Sequence, residues 1–108
     1  MLGAIIGDIA GSIYEFNNIK TENFTPFEGK CFFTDDTVMT IAVADALMNG
    51  KRDEKKTEAC MIKSMKKFGK AYPGAGYGGR FSAWLQEPVF CRRRPICFCK
   101  SPRQKPLR

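Results

Sequence analysis

Apolar positions fall into four stretches separated by polar or glycine-rich punctuation. In residues 2–14 the side chains Leu2, Ile5, Ile6, Ile9 and Ile13 occupy most faces of an α-helix, which predicts a buried helix. Gly3, Ala4, Gly7, Ala10, Gly11 and Ser12 recur near spacings of three and four and should admit a closely packed neighbouring backbone. Each glycine lowers helix propensity by about 1 kcal/mol relative to alanine, so packing must compensate. A short strand over Ala4-Ile5-Ile6 is the rival reading.

Residues 17–31 read as a loop, broken by Asn17, Asn18, Pro26 and Gly29. Val38, Ile41, Ala42, Asp45 and Met48 recur with helical period and predict a helix over 38–48. Thr34 or Asp35 suits its N-cap, with acidic groups in the first turn. Asn49-Gly50 should end it with a left-handed C-cap. Residues 53–70 read as an amphipathic helix, with Met61, Ile62, Met65 and Phe68 as its apolar stripe. Lys63, Lys66, Lys67 and Lys70 are expected to face solvent. Asp53 and Glu54 at the start, and the lysines toward the end, complement the helix dipole. A glycine-rich loop over 72–79 follows, and residues 80–85 start another helix.

Past Gln86 neither period continues, and composition changes with it. Residues 1–86 carry 11 Lys+Arg against 10 Asp+Glu, while residues 87–108 carry 7 against 1. The net charge of +7 therefore belongs mostly to the tail and says little about partners of the body. Two segments result: a domain over 1–86 and a basic, unstructured tail rich in Arg, Pro and Cys over 87–108. The tail reads as the product of a frame disruption near Gln86; a nucleic-acid-binding arm built on Arg92-Arg93-Arg94 is the less favoured alternative.

Five cysteines, an odd number, and the absence of histidine argue against a disulfide framework and a mixed zinc site. A reducing, cytoplasmic location follows from cysteine usage. The N-terminus lacks a basic region before its apolar run, and no run of 18 apolar residues exists, so neither a signal peptide nor a membrane span is expected.

Three places could carry chemistry. Thr34-Asp35-Asp36-Thr37 gathers hard oxygens at a helix start, suited to helix capping or to a cation such as Mg²⁺. Asp8 lies within the most apolar segment, where an unpaired carboxylate is costly; it should bond a backbone amide or cap, or pair with Glu15 for acid–base work. Glu15 lies two helical turns on, near the same face. Residues 74–79, among them Gly76, Tyr77 and Gly78, form either a phosphate cradle that binds substrate or a plain helix connection; no Gly-Lys-Ser/Thr follows as in a P-loop.

Gly3-Ala4-Ile5-Ile6-Gly7-Asp8-Ile9-Ala10-Gly11-Ser12-x-Tyr14-Glu15, followed by Phe33-Thr34-Asp35-Asp36-Thr37-x-Met39-Thr40, resembles the opening of the ADP-ribosylglycohydrolase family, which includes dinitrogenase reductase-activating glycohydrolases. Tyr72-Pro73-x-Ala75-Gly76-Tyr77-Gly78-Gly79 and Trp84-Leu85 resemble its bacterial members. The resemblance covers residues 1 to about 86. It implies an all-α fold, a site with two Mg²⁺ ions liganded in part by Thr34, Asp35 and Asp36, and a role for Glu15 near the scissile bond. It also implies an ADP-ribosylated substrate. The family's downstream Gly-Asn-Gly segment and C-terminal acidic metal motif do not occur in the 108 residues. The expectation is an incomplete, inactive member with low stability or self-association through exposed apolar faces. Borrowing the missing half from another chain is the alternative route to activity.

Overall fold

A stripe of small or branched residues at a spacing of four, Val38, Ala42, Ala46 and Gly50, organises the fold. It lies on one face of helix α2 (Asp35–Gly50), and every member is buried. Helix α3 (Glu54–Ala71) packs antiparallel against that face, joined by a short connection. Helix α1 (Leu2–Gly11) runs into a single 3-10 turn (Ser12–Tyr14) and packs on α2, and helix α4 (Gly79–Gln86) packs on α3. This computed structural model describes residues 1–89. Four α-helices and no strand occur among those residues, as the all-α expectation requires. The strand alternative at 4–6 is thereby excluded.

Helix boundaries follow local chemistry. Asp53 caps α3, its carboxylate accepting from Lys56 N at 3.1 Å. Asp45 Oδ2 accepts from Ser64 Oγ at 2.7 Å, which ties α2 to α3 across their interface. The aromatic side chains of Phe81 and Trp84 stack at 5.3 Å on α4, and Leu85 fills the space against α3 at 1% exposure.

Three expectations are corrected. The end of α2 is left-handed at Lys51 (φ 50) and Arg52 (φ 64), not at Gly50, which is the last helical residue. Gly50 is there for close approach: a β-carbon would fall 2.9 Å from Thr57 Cα of α3. Lys66 does not face solvent. It is 5% exposed, because its amine reaches the C-terminal end of α4 and donates to Trp84 O and Glu87 O, each at 2.6 Å. Finally, α1 holds no buried residue, since α2 is the only other helix it touches among the described residues. No backbone meets its glycines: nothing lies within 4 Å of a β-carbon at Gly3, Gly7 or Gly11.

The tail beyond Val89, with its basic arm and Cys91, Cys97 and Cys99, lies outside the described residues. No helix among the described residues is long and apolar enough to cross a membrane.

Candidate active site

Asp8 joins two helices. Thr34 is the N-cap of α2, yet its own side chain does not cap the helix. The carboxylate of Asp8, reaching over from α1, does so instead. Asp8 Oδ2 accepts from Thr34 N at 2.8 Å and from Thr37 N at 3.2 Å. The hydroxyl of Thr37 donates to Oδ2 at 2.5 Å, and that of Thr34 donates to Oδ1. Burial would raise the pKa of Asp8, but the hydroxyl and amide bonds from Thr34 and Thr37 outweigh it and hold the carboxyl below its ordinary value. The capping reading of this half-buried acid is the one realised. All four of its hydrogen bonds run from Thr34 and Thr37 of α2, and none involves Glu15.

This tie sets α1 beside the N-terminal half of α2 and opens a cleft of about 980 Å³ between them. Asp8, Glu15, Thr34, Asp35 and Asp36 all line it. Glu15 follows the 3-10 turn and is exposed at the cleft's edge. Ser12 holds that turn in place: its hydroxyl donates to Ile9 O at 2.8 Å and accepts from Phe32 N at 3.0 Å. The loop over 17–31 is further pinned by an edge-to-face contact of Tyr14 with Phe24 at 5.7 Å.

Gly76, Tyr77 and Gly78 stand elsewhere. None lines the cleft. Their loop meets the N-terminus of α2, where Asp35 N donates to Ala75 O at 2.8 Å. Gly76 takes φ 97, a conformation that favours glycine, and Gly78 is the N-cap of α4. The phenol oxygen of Tyr77 is buried without a hydrogen-bond partner, and burial together with the nearby Asp35 carboxylate pushes its pKa up.

The sequence reading did not name Met39, Thr40 and Val43 as site residues, although they line the same wall. Their signal is the helical period counted forward from Asp35 and Asp36.

A family model for ADP-ribosylglycohydrolase matches residues 1–95, nearly the whole chain. The chain belongs to the ADP-ribosylglycohydrolase family. No curated protein and no solved structure matches it. The family's all-helical fold agrees with the four helices, and the matched span contains the cleft and both of its walls.

The metal that the family implies can be tested against this ADP-ribosylglycohydrolase cleft. Thr34, Asp35 and Asp36 offer only hard oxygens, the chemistry that Mg²⁺ takes. In number they fall short: no group of three or more His, Cys, Asp or Glu side chains converges among the described residues. The donor set fits magnesium in kind and falls short of a full shell in number.

Proposed function

We propose that this chain carries the carboxylate wall of a magnesium-dependent ADP-ribosylglycohydrolase site, acting on ADP-ribosylated substrates. The observation that supports the reading most is that Glu15, Thr34, Asp35 and Asp36 share one cleft although 18 residues lie between Glu15 and Thr34 in the chain. Thr34, Asp35 and Asp36 would hold magnesium, which when bound polarises ribose hydroxyls or activates water. The role of this chain's own groups is electrostatic and positional. Breaking the bond at the anomeric carbon builds oxocarbenium-like positive charge, which a nearby carboxylate such as Glu15 stabilises. Its exposed position at the cleft's edge leaves Glu15 free to meet substrate. Gly76, Tyr77 and Gly78 act on substrate indirectly in this reading, by bracing Asp35.

A magnesium ion seeks about six oxygens. The described residues provide a hydroxyl and two carboxylates, so the reading expects weak Mg²⁺ binding and little or no turnover by this chain on its own.

Calorimetric titration of ADP-ribose into the full chain, with and without millimolar Mg²⁺, tests the proposal. Magnesium-dependent binding that Asp36→Asn abolishes is the expected result. Binding that ignores both magnesium and that substitution, or no binding at all, would overturn it. Adding an ADP-ribosylated protein and measuring released ADP-ribose then separates a turning-over site from a binding wall, and Glu15→Gln should lower any turnover by about a hundredfold or more.

A further inference from the structure

The four bonds to Asp8 do more than cap a helix. An ionised carboxylate is acceptor-only, so both protons in its contacts with Thr34 Oγ1 and Thr37 Oγ1 must come from the threonines. A threonine hydroxyl has one proton. Once that of Thr34 is committed to Asp8, the oxygen has only lone pairs left to present, and Thr34 lines the cleft. Its neighbours on the wall, Asp35 and Asp36, are acceptors as well. Thr37 makes the same bond to Asp8 but does not line the cleft, so it shares the network without sharing the surface.

We propose that Asp8 is a positioning residue that fixes the polarity of the cleft wall: by taking the hydroxyl proton of Thr34 it leaves Thr34 Oγ1 an acceptor toward the cleft, so that the wall favours cations and hydrogen-bond donors over anions. The benefit of this arrangement for the reaction rests on the function proposed above; the polarity itself rests on the bonds to Asp8 alone. An isosteric Asp8→Asn substitution reverses the arrangement. Its amide nitrogen donates, so Thr34 must accept from it and turns its own proton outward.

Two readouts on the full chain test the proposal. The first is NMR detection of the Thr34 and Thr37 hydroxyl protons with no metal added. Slow exchange is expected for both in the wild type, and free exchange of the Thr34 proton there would overturn the inference whatever the chain binds. The second is Mn²⁺ affinity, read from broadening of the Asp35 and Asp36 amide signals. Asp8→Asn and Thr34→Val should each weaken Mn²⁺ at least about tenfold, which is about 1.4 kcal/mol. Thr34→Ser, which keeps the hydroxyl, and Thr37→Val, which lies off the cleft, should stay within about threefold, under 0.7 kcal/mol or so. A general loosening of the fold would move Thr37→Val together with Asp8→Asn and would count against a polarity role. If Asp8→Asn does not fold, the Thr34→Val and Thr34→Ser pair decides. Unchanged Mn²⁺ affinity in Thr34→Val overturns the inference. Slowly exchanging hydroxyl protons in a wild type that binds no Mn²⁺ would uphold it and remove the function proposed above instead.

Discussion

Gly69 and Leu85 meet where α3 passes α4: a β-carbon at position 69 would fall 2.6 Å from Leu85 Cδ2 and 2.7 Å from Cδ1. Leu85 is 1% exposed, so its side chain is enclosed by the protein. Forcing a methyl into such a contact costs about 1–3 kcal/mol. Alanine's better helix propensity offsets about 1 kcal/mol of that. Gly69→Ala should therefore destabilise modestly. Gly50→Ala should cost more, because its clash includes Thr57 Cα at 2.9 Å, and backbone cannot rotate away. Urea denaturation ranks the two variants. A midpoint for Gly50→Ala at or above the wild type would show that the hairpin is packed less tightly than this.

Lys66 gives a second prediction. Its amine satisfies two carbonyls at the end of α4 and sits 4.5 Å from the centre of the Trp84 ring. Lys66→Met keeps an unbranched stem against Trp84 but leaves Trp84 O and Glu87 O without that donor. The cost should be about 1–3 kcal/mol, with α4 loosened first. Trp84 fluorescence reports the loosening locally, since the chain contains one tryptophan. An unchanged emission and an unchanged urea midpoint would mean that water replaces the amine without loss.

The error at Lys66 shows where sequence reading stops. Period and punctuation located the helices, because the 3.6-residue repeat and the Asp53 cap are local properties. They placed Lys66 on the solvent face because Lys63, Lys67 and Lys70 lie there. What buries it is α4, an element 13 residues further along whose docking side no local pattern states. Asp8 is the opposite case. Its cost in an apolar segment demanded a partner, and that demand was met. Which amides meet it depends on how α1 and α2 lie together, a long-range relationship that no local pattern states. The apolar pattern of α1 was legible, but its burial was not, since burial depends on neighbours.

Those exposed positions carry a third prediction. Leu2 is 77% and Ile6 53% exposed, and neither lines the cleft. Exposed apolar surface of this kind favours self-association. The average mass in sedimentation should rise with protein concentration, and Leu2→Lys combined with Ile6→Lys should suppress the rise while leaving Mn²⁺ affinity within about twofold, well under 1 kcal/mol. A wild type whose mass and thermal midpoint are independent of concentration contradicts the prediction.

The carboxylate of Asp8 ties stability to pH. Burial raises its pKa, the hydroxyls of Thr34 and Thr37 and then their amides lower it by more, and the net value lies below the ordinary one. In the unfolded chain it returns to about 3.9. A group whose pKa falls on folding contributes its full stabilisation above the unfolded value. That contribution fades as the pH drops below about 4 and is lost once the folded-state pKa is passed. Asp8→Asn removes the titrating group: the three donors on Oδ2 then face a neutral amide oxygen, and Thr34 Oγ1 accepts from the new amide nitrogen. Its stability at neutral pH should be lower by about 2 kcal/mol or more. The gap between wild type and variant should then narrow as the pH falls below about 4, as the wild type surrenders what the variant never had. Urea midpoints across that range give the comparison directly. A gap that stays constant would mean that another acid group governs the low-pH loss, and that the bonds to Asp8 survive its protonation.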